Sequence, residues 1–154
     1  MPAHAVLGVA TLVLGAVAAL AALLYVAAPS PRGALRWPLV ATVAGAFGLS
    51  VVTGQAGDAL LDAVKAGGAP NEVTAATTHA HGSDMVTVAL FALLVATLAT
   101  VFKVLSPAKT RWTVGASVGG AIVALSAVAA VITGAIVLVQ ALTAVSAGHP
   151  SWPS

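Results

Sequence analysis

Four histidines and four carboxylates are the side chains of this sequence best suited to chemistry, and the helical layout it implies puts all eight at one end. They are His4, His79, His81 and His149, with Asp58, Asp62, Glu72 and Asp84. Imidazole nitrogen is an axial ligand for haem iron and, beside carboxylate oxygen, a ligand for copper or zinc. Asp58 and Asp62 stand four residues apart on one helical face, a spacing that suits a cation or proton site. Gln55 lies within a turn of Asp58 and is a further polar candidate. His79 and His81 are two residues apart, about 200° around a helix, so a single ligand takes only one of them. Asp84 sits at the mouth of an apolar stretch, where an ionisable group is costly and tends to be functional. Cysteine is absent, which excludes disulfides, thiolate metal sites and a cysteine nucleophile. No phosphate-binding glycine loop, Gly-x-Ser-x-Gly elbow or His-Glu-x-x-His motif occurs, so independent enzymatic activity is not expected.

Composition decides what must position these groups. Hydrophobic residues make up 60% of the chain and charged residues 6%, and the mean hydropathy is +1.06. An ordinary soluble domain carries about 25% charged residues. The expected fold is therefore all-α: an integral membrane four-helix bundle, one transmembrane domain over residues 1–154. Its spans are predicted at 6–28, 35–54, 85–105 and 112–145. The first, with 23 residues, reaches roughly 34 Å, enough to cross a hydrocarbon core of about 30 Å. It stops at Pro29-Ser30-Pro31, and the third stops at Ser106-Pro107, because proline cannot continue a helix. Trp37 marks an interface, and Pro38 is expected in the tolerated first turn of the second helix. The fourth is longer than a simple span, so it tilts or projects.

Charge orients the bundle. Arg32, Arg36, Lys103, Lys109 and Arg111 lie in the two loops opposite the histidines and face the cytoplasm by the positive-inside rule. The first span lacks the basic region of a signal peptide and reads as a retained helix. The expectation is a multi-pass protein of the plasma membrane with both termini outside. The net charge of +2 reflects loop placement and gives no reason to expect nucleic acid. Between spans two and three, Gly54 to Lys65 reads as an amphipathic continuation of the second helix, ended by Gly67-Gly68 and Pro70. Asn71 then N-caps a helix with Glu72 in its first turn, running through His79 and His81 into the third span. These pieces make a short helical outer cap.

The two halves of the chain also share rare markers in the same order. His4-Ala5, Ser30-Pro31, Arg36-Trp37 and Thr53-Gly54 match His79-Ala80, Ser106-Pro107, Arg111-Trp112 and Thr133-Gly134. Pro31 follows His4 by 27 positions and Pro107 follows His79 by 28, whereas the interval from Trp to Thr-Gly grows from 16 to 21. The pattern predicts two duplicated helical hairpins, over 4–54 and 79–134, related by a pseudo-two-fold axis along the membrane normal. That axis makes His4 the counterpart of His79 or His81 at equal depth. Two such imidazoles suit a haem b, with Gly8 and Gly82 leaving room for a macrocycle. His149, in a polar tail, is read as inert.

His4, Thr53-Gly-Gln-Ala-Gly-Asp58 and His79-Ala-His-Gly-Ser-Asp-Met85 resemble motifs of a family of bacterial, often actinobacterial, four-helix membrane proteins of unknown function. Members often open with His-Pro-x-x-x-His, where this chain has Ala5 and Val9. The layout is also similar to that of four-helix b-type cytochromes, an analogy of architecture. Three functions follow as expectations. The first is haem b or quinol-linked electron transfer, respiratory in kind, through His4, His79 and His81. The second is a non-catalytic accessory subunit of a larger respiratory membrane complex, or a homo-oligomer, whose small-residue faces meet partner helices in the lipid bilayer. The third is an extracytoplasmic copper or zinc site built from His4, His79, His81 and Asp84, or a small transporter.

Overall fold

The computed structural model describes residues 3–68, 70–105 and 114–146, with side chains described over 5–68, 70–105 and 117–142. His149, Lys109, Arg111, Trp112, the Ser106-Pro107 stop and the side chain of His4 lie outside that description. Four helices follow one another: α1 Ala3–Ala27, α2 Arg32–Gly67, α3 Pro70–Ala99 and α4 Val114–Ser146. All four are long and apolar enough to cross a bilayer, and the chain is a multi-pass membrane protein. At 33 residues, α4 runs for about 50 Å and exceeds the hydrocarbon thickness.

The helix ends show where the sequence reading was right and where it slipped. α2 runs on through the amphipathic stretch to Gly67, as expected, and Gly68 closes it by donating its N–H to the Val64 carbonyl at 2.7 Å. It begins at Arg32, however, three residues before the expected start at Leu35. Pro38 therefore falls inside the helix rather than in its first turn, where its missing N–H removes one backbone bond. The cause is tertiary: buried Arg32 donates Nε to the Tyr25 carbonyl and Nη2 to the Val26 carbonyl, both at 3.0 Å. Those carbonyls belong to the last turn of α1, which has no partner of its own for them. α3 starts with Pro70 in its first position, so Asn71 sits in the first turn and is not the cap.

The helices form a ring in which α1 packs on α2 and α4, and α3 packs on α2 and α4. The diagonal pair α1 and α3 meet where Gly15, lacking a side chain, admits Leu90. Buried positions recur at alternating intervals of three and four. They are Thr11, Gly15, Ala18, Ala22 and Tyr25 on α1, and Gly82, Val86, Ala89, Leu93 and Ala96 on α3. This is the spacing of left-handed helix packing, and the many alanines and glycines let the backbones approach closely. Glycine matters most between α3 and α4, where a Cβ on Gly82 would run into Gln140 and Val137, and one on Gly119 or Gly120 would come to 3.0 Å from Val104 or Val26.

Near the arginine end, α3 widens into a π-helical turn over Thr100–Val104, closed by a bond from the Leu105 N–H to the Thr100 carbonyl. The widened turn brings the Leu105 carbonyl to Tyr25, whose hydroxyl donates to it at 2.9 Å. Arg36 lies over Phe102 at 4.7 Å and over Trp37 at 5.5 Å, and the two rings meet edge to face. This end is thus held by Tyr25, Arg32, Arg36 and Phe102 together. One turn inward, the Thr97 hydroxyl is buried without a hydrogen-bond partner among the described residues, beside a void too small for a water molecule. Thr97→Val keeps the shape and removes the unsatisfied group, so it is expected to raise stability by about 1 kcal/mol in a mixed-micelle SDS titration.

Candidate functional site

The histidine end is built from the start of α1, the end of α2, the start of α3 and the end of α4. Its acids do not converge. Gln55, Asp58 and Asp62 are exposed on the α2 extension, and Asp84 is exposed on α3. Glu72 is half-buried and folds back on the turn before α3, where one of its oxygens lies 3.2 Å from the point a Cβ on Gly68 would occupy. Among the described residues no group of three histidine or acidic side chains gathers as a metal site.

The two histidines of α3 separate cleanly. His79 is half-buried, with Nδ1 shielded from solvent, and it continues the inward stripe of Gly82, Val86, Ala89 and Leu93 by one step of three residues. His81 is exposed and turned toward α4. It lines a groove of about 310 Å³ between α3 and α4, with Thr77, Thr78 and Met85 on its own helix and Thr133 and Gln140 opposite.

On α1 the inward stripe of Tyr25, Ala22, Ala18, Gly15 and Thr11 continues in register through Gly8 to position 4. His4 therefore stands on the inner stripe of the helix diagonal to the one that carries His79. Their heights also agree. Leu12 of α1 packs where Gly134 of α4 lacks a Cβ, and Gln140 of α4 packs on Gly82 of α3. From the level of Leu12 and Gly134, His4 is about 12 Å outward along α1. His79 is about 9 Å outward along α4 to Gln140, plus about 4.5 Å along α3 from Gly82.

Beneath this mouth Thr11 of α1 and Thr53 of α2 share a buried hydrogen bond at 3.0 Å. One hydroxyl donates across the pair, and the other donates to a carbonyl of its own helix, Leu7 for Thr11 or Leu49 for Thr53, both within reach. Gly8 lies one turn above, and a Cβ there would rest in ordinary van der Waals contact with Thr53, 4.0 Å away, so this glycine sits in the contact of α1 with α2. The opposite wall differs: Gly82 is filled by Gln140 and Val137. The room expected for a macrocycle at Gly82 is taken up by the contact of α3 with α4, and Gly8 lies against Thr53 of α2.

Sequence reasoning missed the groove partners Thr133 and Gln140. The signal was present, since Gln140 is the largest polar side chain of an otherwise apolar 33-residue helix. Comparison with protein-family models, with curated proteins and with solved structures returned no match.

Proposed function

We propose that this chain is a small electron-transfer protein of the plasma membrane that holds a haem b at its histidine end, with His79 of α3 and His4 of α1 as the two ligands. One observation carries the reading: both positions fall on the inward stripes of diagonally opposed helices at matching heights. The Thr11–Thr53 pair supports it, since it floors the mouth with hydroxyls whose protons are already engaged by each other and by the backbone of their own helices.

Bound there, a haem supplies a one-electron iron couple, tuned by ligand identity and burial. The chain's own part is to present two imidazoles, fix their rotation and keep the mouth dry. The exposure of His81 assigns it no part in this pair. The basic residues at the far end support, by the positive-inside rule, a histidine end on the outer face with both termini outside, and with electron donors or acceptors met there or within the bilayer.

The test is the haem content of protein purified in mild detergent from haem-replete cells. About one haem per chain is expected if two ligands come from one chain. A colourless protein that travels with a larger membrane complex would overturn the reading in favour of a non-catalytic accessory subunit.

A further inference from the structure

The groove between α3 and α4 lies on the flank of the bundle, away from the His4–His79 mouth, and its three threonines have a common sense. The hydroxyl protons of Thr77, Thr78 and Thr133 are already donated along their own helices, to the carbonyls of Val73 at 2.7 Å, Thr74 at 3.0 Å and Ala129 at 2.8 Å. What each threonine offers the groove is therefore an oxygen lone pair. His81, exposed on the same wall, adds an imidazole nitrogen. The remaining lining, Met85 with Ile136 and Val137, is apolar apart from the Gln140 amide, whose oxygen is turned against Gly82. A groove rich in acceptors and flanked by hydrocarbon suits an amphiphile whose ring carries hydroxyl donors, and about 310 Å³ is at the lower end of the range for small-molecule sites.

We propose that this groove binds the hydroquinone form of a membrane-soluble quinone, its ring hydroxyls donating to His81 and Thr133 and its apolar substituent lying along Met85 and Ile136. The choice of a hydroquinone among hydroxyl donors rests on the electron-transfer reading above, but binding itself needs no haem. The fully oxidised quinone has acceptors only and cannot bond to the three threonine oxygens, so the reduced form is favoured.

Calorimetric titration of the whole protein in detergent, with a decyl-substituted benzohydroquinone under reducing conditions, tests the proposal. The corresponding quinone and the dimethyl ether of the hydroquinone serve as controls. Saturable binding of the hydroquinone is expected, with the ether, which has no donor, weaker by about tenfold or more. His81→Ala and Thr133→Val are each expected to weaken hydroquinone binding by about five- to tenfold without altering binding of the ether. His81 is exposed, so its substitution leaves folding intact. Equal binding of hydroquinone and ether, or no effect of either substitution, overturns the proposal. So does displacement of the hydroquinone by anionic phospholipid at equal concentration, which would make the groove a lipid site. The titration is repeated on His79→Ala protein: undiminished hydroquinone binding there keeps this site whatever becomes of the haem assignment.

Discussion

Arg32→Ala is expected to cost about 3 kcal/mol of stability, a large part of what holds a small bundle together. Arg32 is 5% exposed, and its guanidinium spans two carbonyls in the last turn of α1, at Tyr25 and Val26. Bonds to a charged donor contribute roughly 1.5–3 kcal/mol each, and deletion leaves both acceptors exposed to hydrocarbon or to incomplete hydration. The figure lies near the lower end of the two-bond sum because the turn is at the membrane surface, where water can replace part of what is lost. Arg32→Lys restores the charge but not the fork, since one ammonium is not shaped to bridge two carbonyls as a planar guanidinium does. It should recover less than half of the loss. Unfolding followed by circular dichroism in mixed micelles of rising SDS fraction measures both. A shift of less than about 1 kcal/mol for Arg32→Ala would show that the capping role is minor.

His79→Ala is expected to remove the haem altogether, whereas His81→Ala, two residues away, should keep it. The contrast follows from 200° of helix: His79 continues the buried stripe of α3, and His81 faces the α4 groove. His79→Ala should leave the bundle intact, because the packing of α3 runs from Gly82 inward to Thr100 and does not depend on that imidazole. Haem content after size exclusion should fall at least tenfold in His79→Ala and by less than twofold in His81→Ala. The same pair should behave in the opposite way toward hydroquinone.

The sequence made the four spans plain, because runs of about 20 apolar residues have few other uses. The continuation of α2 to Gly67 was equally plain, since amphipathicity ends where Gly67-Gly68 begins. The start of α2 was hidden because its determinant, the grip of Arg32 on α1, is a contact between helices. The π-helical turn at Thr100–Val104 carries no local mark either; its distinctive contact is the one from Tyr25 to Leu105.

The choice between His79 and His81 shows the deeper difficulty. In a soluble helix the polar face would reveal which side is in, but here the outer face is also apolar: Val88 is 68% exposed and Phe91 52%. Hydrophobicity then says nothing about inside and outside. Only the packed register separates the two histidines, and the same holds for the groove, which needs α3 and α4 in their final alignment before Thr133 and Gln140 meet His81.

The most direct measurement is the dithionite-reduced minus oxidised visible spectrum of the purified protein, recorded beside His79→Ala and His81→Ala at equal protein concentration. The expected result is a haem b difference band in the parent and in His81→Ala that is absent from His79→Ala. A band that survives in His79→Ala, or a parent protein with no band at all, would contradict the assignment of the histidine mouth as a haem site.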